Sequence, residues 1–317
     1  MKDNFGREIT YLRISVTERC NLRCRYCMPE EGICKKDHAE MLSQEELVMA
    51  VRAAAACGVN KVRITGGEPL VKKNLLSICE SVAAVPGIRE VCLTTNATLL
   101  PGMAQELKNA GVGRINISLD TLDPEKYQWI TRRGTLRDAL AGLDAALRAG
   151  FTKVKINSVL IGGFNDDEIP ALASLSKERP VDVRFIELMP MSENLAFEKN
   201  AYISYKRVLE VLPELEEVPA DGGVAKLYRL PGAQGNIGLI SPISAHFCGT
   251  CNRLRLTSDG RIKPCLHSAE EYPVKGLSEE EMKKQFEAAI LGKPEWHGEL
   301  TREIRSRAAR RMNQIGG

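Results

Sequence analysis

No segment of this 317-residue sequence approaches the roughly 20 consecutive apolar residues that span a bilayer, so no membrane-spanning helix and no membrane partner are expected. The stretch from Met1 to Thr10 is polar and lacks the apolar centre of a leader, so the expected location is cytoplasmic. Charge of one sign is missing too. The 44 Lys+Arg against 41 Asp+Glu leave a net charge of +3, too little to imply binding to nucleic acid or an anionic membrane. No low-complexity linker divides the chain, and 44% hydrophobic residues suffice for one large α/β domain with a smaller addition. Cysteine, by contrast, is plentiful. Ten cysteines, some at C-x2-C spacing and without a leader, point to metal ligands in a reducing compartment instead of a disulfide framework. Cys34, Cys57, Cys79 and Cys92 stand outside the clusters and read as small buried hydrophobes or inert thiols.

The first two-thirds of the chain repeats a short strand, an amphipathic helix and a glycine-containing turn. Strands are expected at Tyr11–Val16, Lys61–Thr65, Glu90–Thr94, Arg114–Leu119, Lys153–Val159 and Val181–Glu187. The first helix starts at a capping box, Ser43 with Glu46, and stops at Gly58; Gly111 and Gly150 end later helices. Such crossovers make parallel neighbours, in either an open doubly wound sheet or an incomplete TIM-like barrel. The strand polarity favours the barrel. Arg13, Ser15 and Thr17 share one face, and similar polar rows recur at Lys61/Arg63/Thr65, Arg114/Asn116/Ser118/Asp120, Lys153/Lys155/Asn157 and Asp182/Arg184. A parallel sheet covered on both faces is apolar on both, so these rows imply a wet lumen; the alternative is that they face bulk solvent. The basic residues Arg13, Lys61, Arg63, Lys155 and Arg184 suggest an anionic ligand there. Beyond Glu187 the pattern changes to a loop, a short helix at Ser204–Leu212, β-rich structure from Gly222 to Cys265, and a helix from Ser278 to Leu291. The expected fold is therefore α/β, an incomplete TIM-like (β/α)6 barrel over residues 1–190, with a C-terminal β-rich extension over residues 191–317 covering the barrel mouth.

Cys20, Cys24 and Cys27 form a C-x3-C-x2-C cluster just after the first strand. Three thiolates within eight residues can close on one soft metal centre, and the lack of a fourth ligand suits a 4Fe-4S cluster with one open iron better than structural zinc. Cys248, Cys251 and Cys265 form a second set of three. Zinc completed by His246 or His267, or a second open 4Fe-4S cluster, both satisfy that spacing. Between them, Arg253 and Arg255 fall on one face of a strand and suit phosphate oxygens. Gly66-Gly67-Glu68-Pro69 follows the second strand, where two glycines allow close approach to the backbone at the C-terminal end of a barrel strand. Thr94-Thr95-Asn96 and Ser118-Leu119-Asp120 place polar side chains on the same rim.

The first cysteine cluster, with Tyr26 before its last cysteine, and the Gly-Gly-Glu segment resemble the radical S-adenosylmethionine (radical SAM) superfamily. With the second cysteine set, the Asn252-Arg253-Leu254-Arg255 strand and the terminal Gly316-Gly317, nearly the whole chain resembles the MoaA family, the GTP 3′,8-cyclases of molybdenum-cofactor biosynthesis. That resemblance implies two 4Fe-4S clusters, one on Cys20, Cys24 and Cys27 holding SAM and one on Cys248, Cys251 and Cys265 contacting the purine of GTP. It implies GTP contacts from Arg13, Arg63, Thr94, Lys155, Arg253 and Arg255, and SAM contacts from Tyr26, Gly67, Ser118 and Met189. By the same resemblance Arg13, Lys155, Gly316 and Gly317 serve catalysis, and the Glu68 carboxylate orients the SAM amino group. The implied reaction uses a 5′-deoxyadenosyl radical to take hydrogen from the ribose 3′ carbon and yields (8S)-3′,8-cyclo-7,8-dihydroguanosine 5′-triphosphate. It requires an electron donor and a downstream cyclic pyranopterin monophosphate synthase, and it allows a homodimer. Ala97 stands where the family has glycine. The alternatives are a radical SAM peptide maturase, whose substrate is a peptide, and a non-catalytic iron–sulfur or zinc-stabilised module.

Overall fold

The computed structural model describes residues 1–33, 37–191, 199–301 and 303–316. Cys34 and Gly317 therefore lie outside the described residues. Six parallel strands run in sequence order: β1 (Tyr11–Ser15), β2 (Lys61–Thr65), β3 (Glu90–Thr95), β4 (Val112–Ser118), β5 (Val154–Leu160) and β6 (Val181–Glu187). Their alternation splits the two faces as the sequence pattern requires. Leu12, Ile14, Val62, Ile64, Leu93, Ile115, Ile117, Ile156, Val183 and Phe185 are buried on one side in a continuous core. The polar rows lie on the other. Arg63 on β2 and Arg184 on β6 both belong to this polar face.

The helices that cover the apolar face start where local chemistry satisfies their free amides. In α1 (Gln44–Ala56), Ser43 accepts from Glu46 N while the Glu46 carboxylate accepts from Ser43 N, closing the capping box. Gly58 follows at φ +99°, in the left-handed region that ends a helix without a Cβ clash. Asp123 and Thr135 cap α4 (Pro124–Thr131) and α5 (Leu136–Arg148). Between α1 and α4 lie α2 (Leu75–Ala83) and α3 (Ala104–Asn109), and α6 (Ile169–Glu178) completes the crossovers.

The C-terminal region builds both margins of the sheet. After α7 (Lys206–Val211) come β7 (Glu216–Val218), β8 (Lys226–Arg229) and β9 (Ile237–Ile240), then β10 (Arg253–Leu256), β11 (Arg261–Lys263) and β12 (Tyr272–Pro273). The full 12-stranded order is β12-β11-β10-β1-β2-β3-β4-β5-β6-β9-β8-β7. Thus β9 adds parallel to β6, β10 adds parallel to β1, and the outer strands fold back antiparallel. The last helix, α8 (Glu279–Leu291), begins at the expected Ser278/Glu281 capping box and packs beside α1, where Arg52 pairs with Glu279 at 2.8 Å. Sheet addition at both edges, not a detached cap alone, is what fixes the extension to the barrel. It also brings the second cysteine set beside β1.

Candidate active site

The first cysteine loop leaves β1 and is braced from two sides. On one side, Gly67 N donates to Thr17 O (2.7 Å) and Glu68 N to Arg19 O (2.8 Å). A Cβ on Gly67 would overlap the carbonyl oxygens of Arg19 and Glu18, so this glycine lets the cysteine loop itself approach β2. On the other side, Arg23 N and Arg25 N donate to Thr131 O and Ile130 O (both 2.9 Å) at the end of α4. Arg132, at φ +60°, reaches back to Arg23 O (2.9 Å) and Met28 O (3.1 Å). Cys24 O accepts from Cys27 N (2.9 Å) and Met28 N (3.0 Å), forming the turn that gathers the thiols. Burial and then the Glu68 carboxylate push the Cys20 thiol up to about 11, and burial with Cys27, Asp120 and Cys20 pushes Cys24 well above the ordinary range. Near neutral pH, thiols raised in this way hold their protons unless a cation displaces them.

Glu68 is more deeply committed than its rim position implied. It is buried and accepts from Leu70 N (3.1 Å), Thr95 Oγ1 (2.7 Å) and Asn96 N (2.7 Å), tying the end of β2 to the end of β3. Burial outweighs those donors and raises its carboxyl to about 7. Asn96 donates in turn to Asn21 Oδ1 at 2.9 Å, within the cysteine loop. Next to it Ala97 is fully buried at φ +65°, and a Cβ on Gly142 of α5 would overlap its carbonyl oxygen. Tyr26 donates to Asp120 Oδ2 (2.6 Å), and Asp120 Oδ1 accepts from Val159 N (2.8 Å). Burial raises this carboxyl to about 6. Asn165 holds the turn by donating to Asp120 O (2.7 Å) and Val159 O (2.9 Å). Ser118 ends β4 opposite Asn157, and Met189 follows β6 with its carbonyl accepting from Met191 N at 2.8 Å.

The lumen residues expected to meet an anion sit together, but each already has protein partners. Arg255, Arg13 and Arg63 are register neighbours across β10, β1 and β2. Arg63 donates to the Tyr11 hydroxyl, Leu93 O (3.2 Å) and Thr94 Oγ1 (3.3 Å). Lys155 is buried between Asp182 (2.9 Å) and Asp221 (3.0 Å), and Arg184 lies 3.8 Å from Asp221. Lys61 and Arg114 share Glu90. Burial, and after it the charges of Arg13 and Arg253, push Arg255 well below its ordinary value. Arg114 Nε, Asn116 Oδ1, Asn157 Oδ1 and Arg184 Nε are buried without a hydrogen-bond partner. Unpaired polar atoms of both kinds on β4, β5 and β6 suit a polar ligand carrying donors and acceptors.

The second cysteine set lies in a cationic setting. Cys248 and Cys251 bracket a single turn in which Cys251 N donates to Cys248 O (3.1 Å), and Cys265 follows β11. Arg7, anchored on Asp3 at 2.6 Å, donates to Cys248 O (2.8 Å). Buried Lys293 donates to Arg253 O (2.9 Å) and Pro264 O (2.7 Å). Burial raises the Cys251 thiol, but the charges of Arg253 and Lys293 and hydrogen bonds from Arg253 outweigh it and bring it down to about 6. Such surroundings suit thiolates around an electron-rich cluster. Among the described residues no three His, Cys, Asp or Glu side chains gather about a single-ion position. His267 Nδ1 is 3.0 Å from Ser306 Oγ, and His246 stacks on Trp296.

The C-terminal tail enters the lumen between the two cysteine sets. Arg13 donates to Gly316 O from Nε (3.2 Å) and Nη2 (3.0 Å), and Arg255 Nη1 donates to Gly316 O (2.8 Å) and Ile315 O (3.0 Å). Gly316 adopts φ +71°, and a Cβ there would overlap Thr65 Oγ1. Asn313 Nδ2 donates to Glu18 O (3.1 Å), two residues before Cys20. Sequence reasoning missed Asp221, Glu18, Asn165 and Asn313. Only Asp221, in an Asp-Gly-Gly turn, carries a local signal, and that signal is for a turn.

Residues 14–175 match the Radical SAM superfamily and residues 181–299 match Molybdenum Cofactor Synthesis C. The chain is 48% identical over 321 residues to the GTP 3′,8-cyclase of Alkaliphilus oremlandii, covering 100% of both chains. It is 47% identical over 328 residues to that of Pelotomaculum thermopropionicum, again covering 100% of both. Among solved structures, Streptococcus suis SuiB is similar with a TM-score of 0.62 at 16% identity, over 92% of this chain and 67% of that one. Methylornithine synthase is similar with a TM-score of 0.53 at 17% identity, over 66% and 63%. These two likenesses bear on the fold alone, whereas the full-length relatives bear on the whole arrangement. With two three-cysteine sets flanking one cationic lumen, the chain belongs to the GTP 3′,8-cyclase family of radical SAM enzymes in molybdenum-cofactor synthesis.

Proposed function

We propose that this chain converts GTP to (8S)-3′,8-cyclo-7,8-dihydroguanosine 5′-triphosphate, with the substrate lying between the two cysteine sets. The observation that carries this is the adjacency of β10 to β1: it sets Arg253 and Arg255 beside Arg13 in the same lumen that follows from the first cysteine loop. The family's cofactors are SAM and 4Fe-4S clusters. Cys20, Cys24 and Cys27 hold the first, and Cys248, Cys251 and Cys265 hold the second. When bound, the first cluster and SAM supply the radical that takes hydrogen from the ribose 3′ carbon.

The protein's part is to orient and to exclude water. Tyr26, Gly67, Ser118 and Met189 border SAM at the strand ends. Arg63, Thr94, Lys155, Arg253 and Arg255 receive the nucleotide, with the triphosphate displacing Asp182 and Asp221 from part of the Lys155–Arg184 cluster. Arg13 and Lys155 set the reacting ribose, and the Gly316-Gly317 end closes the lumen over it. Residues 1–190 form the radical SAM unit, and 191–317 form the extension that carries the second cysteine set and the Gly-Gly tail. An external one-electron donor feeds the first cluster, and a cyclic pyranopterin monophosphate synthase consumes the product. The cytoplasm suits both, and among the described residues no helix is long and apolar enough to cross a membrane.

Calorimetry on the holoenzyme tests the substrate assignment. GTP is expected to bind, and an Arg253→Ala/Arg255→Ala double variant to bind it more weakly, each lost charge-assisted hydrogen bond contributing roughly 1.5–3 kcal/mol. Unchanged affinity in the double variant would contradict the phosphate assignment.

A further inference from the structure

The tail is held far from its tip. Arg310 lies between two carboxylates and makes four hydrogen bonds with them: Nε and Nη2 to Glu271 (2.6 and 2.8 Å), and Nη1 to both oxygens of Asp259 (3.0 and 2.9 Å). All three side chains are mostly buried. Each carboxylate is itself set by a neighbour. Thr257 Oγ1 donates to Asp259 (2.6 Å), and Lys263 Nζ stands 3.5 Å from Glu271. Exposed ion pairs contribute little, but a guanidinium shared by two carboxylates has its direction fixed as well as its charge met.

The location gives this clasp its meaning. Asp259 sits on the turn of the β10–β11 hairpin, the hairpin that runs from Cys251 to Cys265 and carries Arg255. The chain then needs only the residues from Arg310 to Gly316 to reach the carbonyl contacts on Arg13 and Arg255. Along that path a short turn over Met312–Gln314 is pinned by Asn313 and Gln314 to Glu18. A slip of one residue would move the Gly316 carbonyl by about 3.5 Å, out of hydrogen-bond reach of both guanidiniums. A tail ending in two glycines has no side chains with which to find its register at the tip. Its register must be set upstream.

We propose that Arg310, clasped by Asp259 and Glu271, is a positioning residue for GTP cyclisation. It registers the tail against the hairpin of the second cysteine set, so that the Gly316 carbonyl falls on Arg13 and Arg255. This rests on the reading that the tail closes the lumen during the reaction. The clasp acts through the tail and touches neither substrate nor cluster. Loss of it uncouples SAM cleavage from cyclisation without removing either cluster.

The test compares Arg310→Ala, Arg310→Lys and Asp259→Asn with wild type, all reconstituted with iron and sulfide and assayed with saturating GTP and SAM. The readouts are cyclised product per SAM cleaved, iron content, GTP affinity, and the rate at which trypsin cuts after Arg311. The expected result is a fall in coupling on the order of 10- to 100-fold for both Arg310 variants. Tail cutting should be faster, with iron and GTP affinity unchanged. Lysine should not rescue, because one ammonium cannot hold two carboxylates in the guanidinium's geometry. A merely structural role would instead lower iron content and activity together and be rescued by lysine. Wild-type coupling in both Arg310 variants overturns the proposal. Should Arg310→Ala fail to fold, Asp259→Asn decides on the same readouts. A chain ending at Arg310 separates the two levels: if it stays coupled, the tail reading itself fails, and if it uncouples while the clasp variants do not, only the clasp fails.

Discussion

Adding one methyl group at Gly316 should stop cyclisation while sparing SAM cleavage, and the structure supplies the magnitude. Gly316 is at φ +71°, where an L side chain costs about 1–2 kcal/mol. The new Cβ would also overlap Thr65 Oγ1, a hydroxyl held in place by donation to Ile14 O at 3.0 Å. The tail relieves the overlap only by moving, and the Gly316 carbonyl then leaves Arg13 and Arg255. Losing even one of these charge-assisted bonds costs roughly 1.5–3 kcal/mol. Together the two effects amount to about 2.5–5 kcal/mol, a loss on the order of 100-fold or more in the docked fraction. In a single-turnover assay with GTP, SAM and reductant, Gly316→Ala is expected to lose product to that extent, with 5′-deoxyadenosine formation and iron content unchanged. Adding Thr65→Ala removes the overlap but not the backbone cost, so the double variant should recover part of the activity. Wild-type product formation by Gly316→Ala would refute the role of the tail, and no recovery in the double variant would refute the steric part.

Other consequences are as concrete. Reconstituted protein should carry about eight irons, and Cys24→Ala should abolish SAM cleavage whereas Cys251→Ala should retain uncoupled cleavage and lose GTP conversion; four irons with one zinc would remove the second cluster. In iron-free protein, alkylation of Cys251 should rise through a midpoint near pH 6, because its thiolate predominates above that value, while Cys20 stays unreactive until about pH 11; equal labelling at pH 7, read by mass spectrometry, would contradict the charge environment. Gly142→Ala in the middle of α5 should destabilise by about 1–3 kcal/mol in urea unfolding of the iron-free protein, opposite in sign to the usual gain of about 1 kcal/mol for this change in a helix, because the methyl meets the Ala97 carbonyl; a stabilised variant would show that α5 can move.

The barrel was legible because its strands are polar on the lumen side. Alternation located β1 to β6 to within two residues at each end, and the Ser43 and Ser278 capping boxes fixed the starts of α1 and α8. What could not be read was which edge the late strands would join. Four-residue strands such as β9 and β10 name no partner, and their parallel addition to β6 and β1 is decided by tertiary packing. The site divides similarly. The cysteines and lumen cations announce themselves by spacing, whereas their counter-charges do not, and Asp221 reaches Lys155 from a distant turn. The glycines of the Gly-Gly-Glu segment were read as making room for a ligand; at Gly67 the room is taken by the backbone of the cysteine loop. Ala97, standing where the family has glycine, suggests a methyl group set against a backbone approach. Its methyl is instead fully buried in the core, with its cost lying in a left-handed backbone.

If both cysteine sets serve one reaction on one nucleotide, as proposed, GTP must be cyclised in step with SAM cleavage. Anaerobic incubation of the reconstituted protein with GTP, SAM and a reductant, followed by mass spectrometry, tests it most directly. The expected product has the mass of GTP, is separable from it and forms from it in step with 5′-deoxyadenosine. SAM cleaved to 5′-deoxyadenosine while all the GTP remains unchanged would contradict it.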